Sequence, residues 1–396
     1  MPSFFVNFDV IPDSMKCFKL FFFFLIAFFG STVFAQDQEP LIDSVPKIPG
    51  SDYTDFLISD SLKRFYIVED DSTYTYKMIV EDLDELLREH SSVLHAVTVG
   101  KSEFGLEMKT VRIGREVPKK DCVFLVGNIH AREDFSSKLL MKFLNVYLLS
   151  IDGKSNLYPL AAAMLDSVDI YIMPVANPDG LKIAQEDFEG ITDSVNAYIN
   201  SIYCLEDFPE WKANGKGIDL NRTFDDGNFA VKKGGGFQPK PASEGYKGAY
   251  PAQPVETQNI QKFLALTEPL VTASFHTKGN ILFWADAQTH PFLGTIDTKI
   301  IDKIAAASGF KVATIAKYAS EYGCGLENYV RSKHGLIGTC VELSSGDRTR
   351  QQHADDQFNV QVWKLAWNIP WIFIENAALY NKEIRANSEA YLILNF

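Results

Sequence analysis

The stretch Val123-Phe-Leu-Val-Gly-Asn-Ile-His130-Ala-Arg-Glu133 constrains this chain more than any other. An apolar run without polar alternation reads as a strand covered on both faces, which belongs in an α/β sheet rather than in a surface hairpin. The strand stops at a Gly-Asn pair and releases a histidine and, three residues on, a glutamate. An imidazole and a carboxylate at that spacing can grip one metal ion from one loop. Such a pair also arises by chance, so its weight depends on what the rest of the chain brings to it.

The flanking sequence supplies the other elements. A helix is expected from Thr75, with Leu83, Leu86 and Leu87 on one face, followed by strands at Ala96–Gly100 and Met108–Gly114. After the buried strand Cys122–Val126 come a helix from Phe135 to about Leu149, a second helix from about Pro159 to Leu165, and a buried strand over Val168–Val175. Asn177-Pro-Asp-Gly180 reads as a turn, and residues 181–255 as a long loop-rich region of the kind that carries function. Regularity returns with helices over about Val255–Leu266 and Thr295–Ser308, strands at Leu270–Phe275 and Gly338–Glu342, and a helix around Phe358–Phe373. Strands alternating with helices predict a single α/β domain with a central mixed, largely parallel sheet flanked by helices.

Residues 1–35 read as a secretory signal peptide. Lys16 and Lys19 precede an apolar run from Leu20 to Phe29, and a small-residue exit ends at Ala35. Residues 36–72 read as a linker or short N-terminal extension, and 73–396 as the catalytic domain. A net charge of −13 leaves no basic footprint for nucleic acid. No apolar span beyond the N-terminus is long enough for a membrane helix, so no membrane association is expected once the signal is cleaved. The expected product is an exported monomer.

A catalytic zinc takes three protein ligands and keeps one position open. The third ligand is expected at another strand end, and the apolar run Ala273-Ser-Phe-His276 offers one. Ligand histidines usually donate their second N–H to a carboxylate, for which Asp219 is the candidate beside His130. A carboxylate base is also needed. Glu342 ends a buried strand, an unusual place for a carboxylate that does not face a site.

His130-Ala-Arg-Glu133, Asn177-Pro-Asp-Gly180, Gly217-Ile-Asp-Leu-Asn-Arg222, Ser274-Phe-His276 and Thr339-Cys-Val-Glu-Leu343, in this order, resemble the M14 zinc carboxypeptidases from about Thr75 to Trp371. The resemblance implies one Zn2+ held by His130, Glu133 and His276, Glu342 as general base and then acid, and Asn221 with Arg222 on the substrate's terminal carboxylate. Trp211-Lys-Ala-Asn214, His276-Thr-Lys-Gly279 and Pro254-Val-Glu256 are similar to the branch containing the γ-D-glutamyl-diamino acid peptidases, which trim peptidoglycan stem peptides.

The chain departs from the digestive enzymes at three points. Their oxyanion arginine is replaced by Lys212, a point charge rather than a planar fork. Their mobile tyrosine falls on Ser320, between Tyr318 and Tyr322, of which Tyr318 is the expected substitute. Their specificity position falls on Glu327, whose carboxylate would favour a basic or amine-bearing terminal residue. Three functions stay open at this point. One is a stem-peptide γ-D-glutamyl-diaminopimelate hydrolase, one an ordinary carboxypeptidase preferring basic terminal residues, and one an inactive binding module on the same fold.

Overall fold

A computed structural model describes residues 74–115, 120–204, 207–233, 236–285, 290–318, 322–344, 366 and 368–395. All belong to the unit Ile48–Phe396. The expected signal peptide, the expected linker, Ser320 and the first half of the expected helix around 358–373 lie outside the described residues.

The elements run in chain order as α1 (Tyr76–Glu89), β1 (Leu94–Lys101), β2 (Glu107–Ile113), β3 (Cys122–Gly127), α2 (Phe135–Ile151), α3 (Ala161–Met164), β4 (Asp169–Met173), α4 (Pro178–Ala184) and α5 (Asp193–Ser201), then α6 (Val255–Thr267), β5 (Val271–Thr277), β6 (Ile281–Phe283), α7 (His290–Ser308), β7 (Lys311–Val312), α8 (Leu326–His334), β8 (Ile337–Leu343) and α9 (Ile369–Asn395). The eight strands form one sheet in the order β1-β2-β4-β3-β5-β8-β6-β7. Its centre, β4-β3-β5-β8, is parallel. Antiparallel pairings join β1 to β2, β2 to β4 and β6 to β8. The expected α/β architecture with a mixed sheet is therefore present.

Local sequence accounts for much of this. The Thr75 hydroxyl accepts from the Met78 N–H at 3.2 Å and caps α1. Ile79, Leu83 and Leu86 then fall on one buried stripe. β3 and β4 are buried at every position, as parallel strands covered by helices should be. An aromatic cluster joins α2 to α9, with Tyr158 stacked on Trp371 at 5.5 Å and Phe143 edge-on to Tyr158 at 5.3 Å. From α6, Phe263 meets Phe124 of β3 at 4.8 Å.

Six elements depart from the sequence expectation, the short strands β6 and β7 among them. The Asn177-Pro-Asp-Gly180 turn is the first turn of α4. Asn177 caps it by accepting from the Gly180 N–H at 3.0 Å, with Pro178 at the first helical position. α5 and α8 were not expected. α9 begins at Ile369 and runs to Asn395, well past the expected end at Phe373.

The topology places the site. From β3 the chain moves to β4 on one side and later to β5 on the other, so the carboxyl ends of β3 and β5 open a crevice at a switch in strand order. Asn128 turns the chain there with φ 51°, a left-handed conformation that asparagine tolerates, and its side-chain amide donates to the Ala131 carbonyl at 2.9 Å. Asn177, fully buried, donates to the Ile129 carbonyl at 3.1 Å and the Ala213 carbonyl at 3.0 Å. It ties the His130 loop to the loop carrying Lys212. Asn177→Ala should therefore cost about 2–4 kcal/mol in urea unfolding, through orphaned carbonyls and a lost helix cap. It should also weaken metal retention, and a variant as stable as the parent would contradict this bracing role.

Candidate active site

His130 and Glu133 leave β3 on one short loop, and His276 ends β5. The three side chains are buried and converge. His130 Nδ1 lies 3.0 Å from His276 Nδ1 and 3.0 Å from Glu133 Oε1, and His276 Nδ1 lies 2.9 Å from Glu133 Oε2. Donors shared by one tetrahedral ion at ~2.0–2.2 Å stand about 3.3 Å apart. The cluster thus has nearly the spacing of a ligand set, and two nitrogens with one carboxylate suit a catalytic zinc. His130, Glu133 and His276 are the residues placed to hold it. Burial opposes a charge on Glu133, but His130 and His276 together hold its carboxyl well below the usual range.

The second nitrogen of His130 meets Asp219, with Nε2 to Oδ1 at 3.2 Å. Asp219 is buried, yet Arg222, His130 and Lys212 outweigh that burial and keep it well below the ordinary carboxylate pKa. An ionised partner at Nε2 leaves Nδ1 as the lone-pair donor toward the metal position.

A second convergent group joins His276 to Cys340 and Glu342. Burial, reinforced by Glu327 and Glu342, pushes the Cys340 thiol well above its ordinary pKa. Thiolate ligation is disfavoured there, and the first set is the better home for zinc.

Glu342 owes its place to register. β5 and β8 run parallel with His276 paired to Glu342, so their side chains stand on one face at neighbouring positions. One carboxylate oxygen of Glu342 is buried with no hydrogen-bond partner among the described residues. Burial first, then the Glu133 charge, push its pKa up to about 7.

Asn221 and Arg222 lie on a single 3-10 turn, Leu220–Arg222. The Asn221 carbonyl oxygen of the side chain accepts from the Leu326 N–H at 2.9 Å, so its amide nitrogen is the group left to address a substrate. The Asp219 charge raises the Arg222 pKa and keeps it cationic. Lys212 is half-buried, within electrostatic reach of Asp219 and Glu342, and lines a cavity with Arg222. Trp211 beside it is fully buried. Glu327 is 3% exposed on the first turn of α8, within reach of Arg222, rather than in solvent. Tyr318 stands at the surface, 64% exposed. Tyr322 instead packs on Phe283 with ring centroids 5.7 Å apart, and its hydroxyl pKa is raised by burial and by Glu327.

Sequence reasoning passed over Lys232, which lines the same cavity as Arg222. It sits in a Gly- and Pro-rich loop without periodicity, so no pattern marked it.

The Peptidase_M14 profile, described as zinc carboxypeptidase, matches residues 79–359. The Gamma-D-glutamyl-L-diamino acid endopeptidase 1 of Lysinibacillus sphaericus is 22% identical over 71% of this chain and 68% of its own length. The chain spans 64% and 39% of the lengths of two further relatives. Thrombin activatable fibrinolysis inhibitor superposes with TM-score 0.59 at 16% identity, over 82% of this chain and 83% of that one. The carboxypeptidase A of Helicoverpa armigera gives 0.58 at 18%, over 84% and 81%. At these identities the structural likeness is one of fold. With the profile covering more than half of the sequence, and with His130, Glu133 and His276 placed as a candidate metal site, the chain belongs to the zinc carboxypeptidase family and is a zinc-dependent peptidase of that family.

Proposed function

We propose that this protein is an exported, monomeric metallocarboxypeptidase that removes a terminal residue from peptidoglycan stem peptides, at a γ-D-glutamyl-diaminopimelate type bond. The observation that carries the reaction is the pairing of Glu342 with His276 at two parallel strand ends. Similarity to the Lysinibacillus enzyme and the N-terminal signal pattern support the substrate and the export. The substrate would meet an exported enzyme directly. The catalytic unit is residues 73–396, behind a signal over 1–35 and a linker over 36–72.

Zinc, when bound by His130, Glu133 and His276, would polarise the scissile carbonyl and acidify the attacking water. Asp219 orients His130 through Nε2. Arg222 and the Asn221 amide hold the substrate's free carboxylate, which fixes how deep the chain enters and leaves one terminal residue beyond the cleaved bond. Glu342 takes the proton from the nucleophile and delivers it to the departing amine. Lys212 places positive charge where the carbonyl oxygen gains negative charge. Tyr318 is the expected side chain to close over the substrate.

A second reading has its own support. Glu327 is a buried carboxylate near Arg222, which suits a terminal lysine or arginine on an ordinary peptide. Product analysis with and without chelator separates the two. The stem-peptide reading expects chelator-sensitive cleavage of L-Ala-γ-D-Glu-diaminopimelate above peptides ending in Lys, Arg or Phe. Cleavage of the ordinary peptides alone would favour the second reading, and no turnover on any of them would favour an inactive module.

Glu342→Gln should keep one zinc per chain by emission spectrometry and lose about 10²–10⁴ in kcat, the usual worth of a general base. Near-parental turnover would remove Glu342 from that role. The sign of the pH effect follows from the same residue. Burial and Glu133 raise the Glu342 pKa to about 7 without metal, and a bound cation lowers it. The base works only when deprotonated. Accordingly, kcat/KM should fall as pH drops through a pKa at or below about 7, and an acid limb above that range would contradict the assignment.

A further inference from the structure

Asn214 and Glu256 take no part in the reaction proposed above, yet their side chains meet behind the Lys212 loop. Both are fully buried, and the Asn214 amide donates to Glu256 Oε2 at 3.1 Å. The side-chain oxygen of Asn214 accepts from the Lys216 and Ile218 N–H groups, each at 3.0 Å. Its backbone adds two bonds across the same turn, donating to the Ile218 carbonyl at 2.9 Å and accepting from the Gly217 N–H at 3.0 Å. One asparagine thus has the turn 214–218 folded around it.

Glu256 is the anchor. It stands in the first turn of α6, where the helix terminus favours an anion. Its other oxygen accepts from the Glu103 N–H at 3.2 Å, and Glu103 Oε1 accepts from the Val255 N–H at 3.1 Å. Each oxygen of a buried carboxylate is therefore met by one donor, and bonds to a carboxylate are the strong ones. Burial first, then the Asp179 charge, push the Glu256 pKa up to about 8. The turn held in this way has Lys212 just before it and Asp219 just after it. The Lys212 carbonyl also accepts from the Ala131 N–H at 3.1 Å, which lays the segment along the His130 loop. The carboxylate grip is braced elsewhere, through Asn221 and the Leu326 N–H.

We propose that Asn214 and Glu256 are positioning residues, whose bond fixes the turn between Lys212 and Asp219 and so aims the Lys212 ammonium at the developing oxyanion. This role rests on the proposed placement of Lys212 at the oxyanion. Neither residue touches substrate. Lys212 acts where charge develops, and the groups that bind the ground state are held separately, so the effect belongs in kcat rather than KM.

The test exchanges the two polarities. Asn214→Asp keeps the acceptor for Lys216 and Ile218 but sets one carboxylate against another. Glu256→Gln leaves the Asn214 amide and the Glu103 N–H with one acceptor between them. In the double variant the glutamine nitrogen donates to the new carboxylate and its oxygen accepts from Glu103, so every group is paired again. The zinc-loaded full-length protein is assayed at about pH 9, where Glu256 is ionised, on L-Ala-γ-D-Glu-meso-diaminopimelate and on a peptide ending in lysine. On whichever peptide the parent cleaves faster, each single variant should lose about 10-fold or more in kcat with KM within about 3-fold. Amide hydrogen exchange across residues 215–219 should quicken by about 10-fold in the same variants. The double variant should return both readouts to within about 3-fold of the parent. A double variant no better than the worse single one overturns the assignment, and this comparison still decides if a single variant fails to fold. A loss confined to KM also overturns it. Lys212→Met separates the two layers. If it loses kcat while the single exchanges keep parental kcat and exchange rates, only the positioning role falls. If Lys212→Met keeps parental kcat, or the parent cleaves neither peptide, the oxyanion role of Lys212 falls and this assignment falls with it.

Discussion

The parallel pairing of β5 with β8 is the constraint on which the rest of the site depends. It sets His276 beside Glu342 on one sheet face, one interstrand spacing apart. A one-residue slip would turn either side chain to the opposite face and separate the candidate ligand His276 from the candidate base Glu342. β3 adds to this from the other side of β5, with Gly127 paired to Phe275, so that the His130 loop begins level with the end of β5. The buried apolar runs that build these three strands serve stability first. Their common termination at one edge is what turns a core into a site.

Charge is the second constraint. Glu133, Asp219, Glu327 and Glu342 are drawn into one water-poor region, against Arg222 and Lys212. Burial raises the cost of each carboxylate, and the neighbours decide which stay ionised. Asp219 and Glu133 sit against imidazoles and the Arg222 guanidinium and are held low. Glu342 is pushed up by its burial first and then by the nearby Glu133. Two carboxylates with different environments can thus take different roles, one as ligand and one as base, within a single cluster.

Much of this was legible in the sequence because strand ends carry their own signal. Val123–Val126, Ala273–Phe275 and Gly338–Val341 are largely apolar runs; His276 and Glu342 follow theirs directly, and His130 follows after Gly127-Asn-Ile129. What was harder to read has a physical reason in each case. α4 starts on an asparagine cap and a proline, a start signal that also reads as a turn. β6 and β7 span three and two residues, too short for any periodicity, and exist through pairing with neighbours. α8 ends at Gly335 with φ 61°, a stop signal that was present but had no strong apolar stripe ahead of it. Lys232 reaches the Arg222 cavity from a loop, where distance along the chain says nothing about distance in space. Between Tyr318 and Tyr322, residue spacing could not choose, and only the fold shows which one packs beside Glu327.

We propose that His130, Glu133 and His276 form one zinc site, with Asp219 setting which nitrogen of His130 faces the metal. Diffraction from crystals of the zinc-loaded protein, recorded on both sides of the zinc absorption edge, tests it most directly. One anomalous peak per chain is expected, ~2.0–2.2 Å from Nδ1 of both histidines and from a Glu133 oxygen. A peak bound through Nε2 of His130, or centred on Cys340 instead, would contradict it.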